Sequence, residues 1–496
     1  MKRVCKYLIF VVLYITTLYE INAQSNVYLS ISKVIDTLSL EASDAKIKRL
    51  GFENELLQFE NYKKSFLPSA SLNLSPVGFN RSIVKLQQAT DGQYNYVEDY
   101  SSSSSAGISL QQKLPFTGGT ISASTSLNYL SELSQNRNSF SATPFAISYS
   151  QQLFGERKIM QFEKNIEYKK HEETIKKYCL SVSGIQQKAL NLFMEAFLAS
   201  LEKTLSSSNR LATDSLYSMA KVRYENNRIT ELDFKQIALQ ATNNEYLEAN
   251  AAKNHEDAVR TLMTYLDILI HENINDVIIE TPEFTLPLQM NPENVKYYIM
   301  KNNPELLSRD IQKLEAQKGL YSSEINNRFN ANINLSYGMN QYARTLDKVY
   351  SNPSIQQSVS IGFSVPFSLW GINRNNAQIA KNNYQSFIIS MEKEIEEFEN
   401  KIHKTINNYN HNINLWIIAE RSYQLAQEQY KLTVQEFAMG RSSAYELIAS
   451  QQEQSTALQN YYNVVRNAYE IYFQLREMAL YDFEKEIELI DIFLNH

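Results

Sequence analysis

Apolar residues recur at two different spacings along this chain, and the spacing changes in the same order twice. Where apolar and small polar residues alternate, the pattern predicts β-strands; where apolar residues return every three or four positions, it predicts helices. In both halves a helix is followed by strands and then by two very long helices. We therefore predict two structural repeats, residues 24–280 and 295–496, joined by a Pro-containing linker at 281–294.

Alternation is clearest near the ends of the two predicted strand regions, 68–153 and 330–367. In the second region the apolar positions are Val359, Ile361, Phe363, Val365 and Phe367, with Ser or Gly between most of them. A strand with lipid on one face and a wet lumen on the other gives this pattern, and so does a strand of a soluble sandwich. Alternation alone leaves both open, whereas the export signal and the long helices described below favour the membrane.

The first strand region contains an additional pair of strands around the turn Phe116–Gly119. The connections on either side of this pair, 81–104 and 131–143, are long and polar, and the first contains five consecutive Ser at Ser101–Ser105. Short turns on one side and long loops on the other are typical of an outer-membrane barrel. We expect these two segments to be loops and each chain to supply four to six strands.

Each repeat ends in a predicted helical hairpin, at 155–270 and 372–486. No Pro interrupts Gly155–Asn226, and about seventy residues at 1.5 Å each give a helix of roughly 105 Å. In the second hairpin, apolar and aromatic residues return at every seventh position: Ile388, Ile395, Ile402, Tyr409, Trp416, Tyr423, Tyr430 and Phe437. Such a stride indicates a left-handed coiled coil, so we interpret the aromatic stripe as packing rather than as a cofactor site. Shorter helices are predicted ahead of the strands, at 26–64 and about 295–328.

The turns of the two hairpins share one residue pattern. Tyr224–Asp233 and Phe437–Glu446 both contain an aromatic residue, then Asn or Gly, Arg, a hydroxyl residue and an acid. Asn227 and Gly440 are the residue types best suited to the left-handed conformation that ends a helix. Each turn is followed by a capping-box sequence, made by Thr230 and Asp233 in the first repeat and by Ser443 and Glu446 in the second.

The N-terminus has the features of an export signal. Positive residues precede the apolar stretch Tyr7–Leu18, and Ala23 offers a small residue at a cleavage site. The stretch is short for an anchor helix that spans a bilayer. We predict that residues 1–23 are a signal peptide; Cys179 is then the single Cys of the mature chain, which rules out an internal disulfide.

Composition excludes several classes of protein. The net charge of −6 argues against a nucleic-acid partner, and the mean hydropathy of −0.38 argues against a helical membrane bundle. The six His are scattered, and the sequence contains no zinc-protease, nucleotide-binding or nucleophile-elbow motif. We therefore expect no catalytic, cofactor or metal site.

Taken together and in this order, these features resemble the TolC family of outer membrane efflux proteins. The resemblance covers essentially the whole mature chain and rests on the duplicated unit, on both tips, and on Ser150–Gly155 with its echo Phe363–Gly371. It implies an α+β membrane protein and a homotrimer. The strands of three chains would close one β-barrel in the outer membrane, and the helices would continue as a coiled-coil barrel through the periplasm.

The resemblance also implies roles for the tips. The residues that fall at the family's pore constriction are Asp233, Glu446, Tyr224 and Phe437. The residues that fall in its adaptor-contacting turn are Asn227, Arg228, Gly440 and Arg441.

The tips also depart from the family pattern. Phe437 has no hydroxyl, Ser442 stands where some relatives place an Arg, and Ala449 lacks a second acid. We therefore expect the closing contacts to differ from those of the relatives.

The implied function is an outer-membrane exit duct of a tripartite efflux or type I secretion system. Its partners would be a periplasmic adaptor, an inner-membrane transporter indirectly, and outer-membrane lipid. The alternative is a periplasmic coiled-coil adaptor, but adaptors contain one helical hairpin and this chain has two, each preceded by strands. An enzyme is not expected, and the sequence does not identify the exported substrate.

Overall fold

The computed structural model describes residues 27–87, 92–133, 135–268, 277–282, 285–326, 330–364 and 370–494. The predicted signal peptide lies outside these residues, as do 283–284 of the linker and 365–367 of the second strand region. The chain divides into two compact units. The helical unit comprises Met1–Phe52, Ile175–Asn303 and Phe398–His496, and the sheet unit comprises Glu53–Thr174 and Pro304–Glu397.

One antiparallel sheet of six strands forms the centre of the sheet unit. In spatial order the strands are β1 (Ser69–Gln87), β2 (Tyr94–Lys113), β3 (Thr120–Glu132), β4 (Arg137–Gln152), β5 (Asn330–Ala343) and β6 (Ser354–Ser364). The first four strands follow one another as a meander. β5 then pairs with β4, so both repeats contribute to the same sheet.

The two faces of this sheet differ in polarity, as alternation predicts. One row of partners crosses all six strands with polar side chains only: Ser69, Gln111, Ser122, Ser148, Ser336 and Ser358. The adjacent row, on the opposite face, contains Leu110, Ala123, Ile147 and Tyr337. Hydroxyls on the polar face bond across strands, with Ser122 and Ser148 Oγ atoms 2.6 Å apart. Apolar side chains such as Ile361 (55 % exposed) and Phe363 (67 %) are uncovered within the chain, which suits contact with lipid.

The prediction of two long polar loops is wrong. β1 and β2 stay paired from Ser69 with Gln111 to Gln87 with Tyr94, so the run Ser101–Ser105 lies inside β2. Likewise, most of 131–143 belongs to β3 and β4, which pair as far as Glu132 with Arg137. Cross-strand pairing gives these polar residues backbone partners that their composition does not reveal. Both strands of the first hairpin exceed the roughly 9–11 residues that cross a bilayer.

Both helical hairpins are confirmed. The helices are α1 (Ser43–Lys64), α2 (Glu156–Glu225), α3 (Glu231–Tyr265), α4 (Pro292–Asn302), α5 (Pro304–Asn326), α6 (Ile372–Ala438) and α7 (Ala444–Ala479). The buried side chains of α6 include Ile402, Tyr409 and Phe437, so the predicted aromatic stripe is packing. None of the described helices combines the length and apolarity needed to cross a bilayer.

Three helix boundaries differ from the prediction. The region 26–64 is not one helix, because Val27–Leu29 forms a parallel pair with Val277–Ile279 before helical turns lead into α1. The region 295–328 breaks at Asn303, whose ψ of 124° is the extended conformation favoured before Pro. Helix α7 ends at Leu480, which has a φ of 45°, and is followed by a small hairpin of Tyr481–Asp482 with Ile487–Glu488 and by a short helix, Leu489–Leu494.

A buried ion pair fixes this small hairpin to the helical unit. Arg476 Nε lies 3.1 Å from Asp482 Oδ2, and both residues are about 95 % buried. Arg476 also donates to Gln186 Oε1 at 2.9 Å, and Tyr472 donates its hydroxyl to Asp482 Oδ1 at 2.7 Å. Burial alone would raise the pKa of Asp482, but Arg476 and Tyr472 outweigh it and lower that pKa. One charged cluster therefore joins α2, α7 and the C-terminal hairpin.

Candidate functional site

The turn of the first hairpin ends α2 with a left-handed residue, as predicted. Asn227 has a φ of 52°. Its N–H donates to Tyr224 O at 2.9 Å, and the N–H of Arg228 donates to Arg223 O at 2.8 Å. These two bonds make a Schellman motif, which satisfies carbonyl groups that the helix end leaves free.

The turn of the second hairpin repeats this geometry. Gly440 has a φ of 76°, its N–H donates to Phe437 O at 3.0 Å, and the N–H of Arg441 donates to Glu436 O at 2.9 Å. The shared sequence pattern thus corresponds to shared backbone hydrogen bonds.

Both predicted capping boxes are present. In the first, Asp233 N donates to Thr230 Oγ1 at 3.1 Å and Thr230 N donates to Asp233 Oδ2 at 3.4 Å. In the second, Glu446 N donates to Ser443 Oγ at 3.2 Å and Ser443 N donates to Glu446 Oε2 at 2.8 Å. Each acid is thereby fixed at the N-terminus of the returning helix, where the helix dipole favours a negative charge.

The carboxylate of Glu446 accepts from both the backbone and the hydroxyls that precede it. The backbone N–H of Ser443, followed by the hydroxyls of Ser442 and Ser443, lowers the pKa of Glu446. Its side chain is exposed, whereas that of Asp233 is half-buried. Ser442 donates its hydroxyl to Glu446 Oε2 at 2.7 Å.

The two aromatic residues before the turns lie in different surroundings. Tyr224 is 37 % exposed and stacks on Phe234, with ring centroids 5.0 Å apart and an interplanar angle of 7°. Phe437 is only 8 % exposed, and the guanidinium of Arg223 lies 5.8 Å from its ring centroid. Within one chain, Phe437 supports the turn from inside, and Tyr224 lies at the surface.

A small apolar core, called here the tip core, joins the two hairpins. Its buried members are Ala220, Ile237, Phe437, Ala444 and Leu447, one or more from each of the four long helices. The four turn residues predicted to contact an adaptor, Asn227, Arg228, Gly440 and Arg441, are all exposed beyond this core. The core brings the two turns together, so their acids and guanidinium groups lie on one end of the helical unit.

The tip core was not predicted from the sequence, although the seven-residue stride contained a signal for it. Ile237 and Ala251 lie on one stride in α3, and Ala444 and Leu458 lie on one stride in α7. Extending the stride of α6 to its neighbours would have found these residues.

The tips contain no pocket for an organic ligand among the described residues. A cavity between the tip core and the next layer of side chains has a volume of about 20 Å³, which admits one water molecule. In the described part of the chain, no group of His, Cys, Asp and Glu side chains is placed to hold a metal ion.

Comparison with known proteins finds a match in sequence for part of the chain and a match in fold for most of it. Residues 301–479 match the model of a family described as outer membrane efflux protein. The fold is similar to the CmeC outer membrane channel of Campylobacter jejuni, with a TM-score of 0.65 and 12 % identity over 94 % of this chain and 88 % of that one. VceC from Vibrio cholerae gives a TM-score of 0.62 and 10 % identity over 90 % of this chain and 95 % of that one. Over residues 301–479 the sequence thus matches the outer membrane efflux protein family, and the chain has the fold of outer membrane channels.

A further solved structure has a similar fold, whereas the search of curated proteins gave no match. A membrane protein from Pseudomonas aeruginosa gives a TM-score of 0.62 and 11 % identity over 94 % of both chains. No curated protein matches the sequence.

Proposed function

We propose that this protein belongs to the TolC family of outer membrane efflux proteins and is the exit duct of a tripartite efflux or type I secretion system, passing substrates from the periplasm to the exterior. The observation that carries the proposal is the six-stranded sheet with one uncovered apolar face and one uncharged polar row, followed in the same chain by two capped helical hairpins. The sheet suits lipid on one side and water on the other. Transport by this duct involves no chemical step, no cofactor and no catalytic residue.

The duct is a homotrimer whose barrel is shared between chains. Six strands are too few to enclose a channel, since small barrels need eight and porins with an aqueous channel have 16–18. Among the described strands, β1 and β6 are the edges of the sheet, so β1 of one chain can pair with β6 of the next. Three chains together supply eighteen strands, which is the size of a porin with an open lumen.

The chain is built from two repeats behind a signal peptide. Residues 1–23 are removed on export, the first repeat covers 24–280, and the second covers 295–496 after a linker at 281–294. Support comes from the matching Schellman motifs and capping boxes of the two hairpins. The repeats differ in that the first supplies four strands and the second supplies two.

The tips form the constriction at the periplasmic end of the duct. In a trimer, Asp233 and Glu446 would recur around the axis, with Tyr224 beside them and Phe437 supporting the turn from the tip core. Rings of carboxylates in a narrow pore favour cations and exclude anions. The constriction would open through movement of the paired helices.

The exposed turns dock onto a periplasmic adaptor. Asn227 with Arg228, and Gly440 with Arg441, are exposed in tight backbone turns at the same end of the helical unit. Through the adaptor, the duct would be coupled indirectly to an inner-membrane transporter. The alternative, that this chain is itself an adaptor, leaves the apolar face of the sheet without a role.

Fractionation of cells that produce the full chain tests the location and the assembly. We expect the protein in the outer-membrane fraction, as an oligomer whose gel migration changes on heating. Recovery as a soluble monomer from the periplasm would contradict the duct and favour the adaptor.

A further inference from the structure

A layer of polar side chains lies directly above the tip core, in the same bundle of four helices. Its members, called here the polar layer, are Thr213 of α2, Asn244 of α3, Tyr430 of α6 and Gln451 of α7. Thr213, Asn244 and Gln451 are each more than 90 % buried. Tyr430 is partly buried, and burial raises the pKa of its hydroxyl.

The polar layer is in heptad register with the tip core on every helix. Each member stands seven residues from a tip-core residue in the direction away from the turn, and those four residues are Ala220, Ile237, Phe437 and Ala444. One further heptad along α7, Leu458 is buried as well. On α7 the residues seven positions to either side of Gln451, Ala444 and Leu458, are apolar and buried. The polar layer therefore interrupts an apolar seam.

Hydrogen bonds run across the layer from one hairpin to the other. Gln240, one turn before Asn244, donates to Gln451 Oε1 at 3.5 Å and to Asn244 Oδ1 at 3.3 Å. Asn244 then donates to Thr213 Oγ1 at 2.7 Å, and Thr213 donates to Asn209 O at 2.8 Å. The chain of donors and acceptors joins α7 to α3 and α3 to α2.

These bonds tie the alignment of the hairpins to particular partners. If the second hairpin moved along the first, Gln451 would leave Gln240, and a buried amide without a partner costs more than the bond itself contributes. Apolar layers are less demanding, because Leu or Met can pack against several neighbouring positions. A buried polar position in a coiled coil specifies register for the same reason, usually at some cost in stability.

We propose that the polar layer fixes the longitudinal register of the two hairpins and so holds the tips in one arrangement until a partner moves them. The proposal rests on the function proposed above and adds positioning residues away from the turns. Gln451 and Asn244 act through the tip core beneath them, since neither lies in the turn. Their role is to make movement of one hairpin past the other unfavourable.

A near-isosteric apolar layer tests this role in the purified full-length protein. The triple variant Thr213→Val, Asn244→Leu, Gln451→Met keeps the volume of the layer and removes the polar side-chain atoms of its three buried members. Recorded in planar bilayers without an adaptor, it should open about threefold to tenfold more often than the unmodified protein, as the loss of one or two buried hydrogen bonds predicts. Its thermal midpoint should stay unchanged or rise, because apolar groups replace buried polar ones.

The matched control is Gln452→Met, the same kind of change one residue along, on an exposed position. We expect this variant to open as rarely as the unmodified protein. If the triple variant opens no more than the control, the register role is wrong. If it opens more but also melts earlier, general loosening explains the effect and the role is equally wrong.

A second pair of variants covers the case in which the triple variant does not assemble. Gln240→Met and Gln451→Met remove the two ends of the hydrogen bond between hairpins. Either change alone should give the full increase in opening, and the double variant should add nothing. Additive effects would overturn the proposal. Absence of channels from the unmodified protein would instead contradict the proposed function.

Discussion

Arg476 and Asp482 form an ion pair of 3.1 Å, with both residues about 95 % buried. Removing one partner of such a pair leaves an uncompensated buried charge and costs about 3–5 kcal/mol. We predict that Arg476→Ala lowers the thermal midpoint of the purified protein strongly, as followed by circular dichroism. Lys301→Ala is the control, since its pair with Glu488 is half-exposed and screened by solvent, and should contribute little. Equal effects of the two changes would refute the assigned importance of the buried cluster.

The buried carboxyl of Glu477 should make the stability of the fold depend on pH. Its Oε1 atom is buried without a hydrogen-bond partner, and burial raises the pKa of the carboxyl from 4.5 to about 7. A raised pKa means that the fold favours the protonated form. Its contribution to stability is therefore complete below pH 4.5 and is lost as the pH rises through about 7.

Glu477→Gln should remove this loss. At pH 8 we expect the variant to be more stable than the unmodified protein by about 1–3 kcal/mol, with no such difference at pH 4. Glu428→Gln, on an exposed position of α6, should change neither value. Thermal melts between pH 4 and 8 provide the measurement, and parallel curves for Glu477→Gln and the unmodified protein would argue against a buried carboxyl.

Two Gly residues should respond with opposite sign to the same substitution. Gly440 has a φ of 76°, and a Cβ there would meet no neighbouring atom, so Gly440→Ala tests backbone conformation alone and should cost about 1–2 kcal/mol. Gly319 lies inside α5, also with open space around it, and Gly319→Ala should stabilise by up to about 1 kcal/mol. Thermal midpoints distinguish the two, and a stabilising Gly440→Ala would show that the left-handed turn is not required.

The helices and the turns were predictable because their signals are local. Long runs without Pro, the seven-residue stride and the placement of Asn227 or Gly440 before a capping box are all read from adjacent residues. The structure reproduces each of them. A long helix also tolerates errors of a few residues at its ends, as at Tyr265 and Ala479.

The elements that were missed depend on partners far away in sequence. Val27–Leu29 is a strand because Val277–Ile279 pairs with it, and Ser101–Ser105 is a strand because β1 and β3 lie on either side. The small hairpin after Leu480 is held by Arg476, whose charge is satisfied only in the folded chain. The tip core and the polar layer, by contrast, lie on a seven-residue stride that is visible in the sequence. They were missed because the stride was recognised in α6 alone.

Two double variants of the tip carboxylates distinguish their capping role from a role in the pore. Asp233→Asn with Glu446→Gln retains an acceptor oxygen for each capping box and removes both charges. We expect stability to change little, because the side-chain amide oxygen still accepts from the backbone N–H of the N-cap residue. Asp233→Ala with Glu446→Ala should instead lose capping as well, and melt earlier. If the charge-neutral variant melts as early as the Ala variant, the capping geometry does not depend on the retained oxygen.

The most direct test of the exit duct is the single-channel current of the purified protein in a planar bilayer. The unmodified protein should form a cation-selective channel of low conductance that is blocked by multivalent cations. Asp233→Asn with Glu446→Gln should give a higher conductance, weaker selectivity and weaker block, because the negative potential at the constriction is removed. The same conductance and the same block in both proteins would contradict a constriction at the tips, and no channel activity from either would contradict the duct itself.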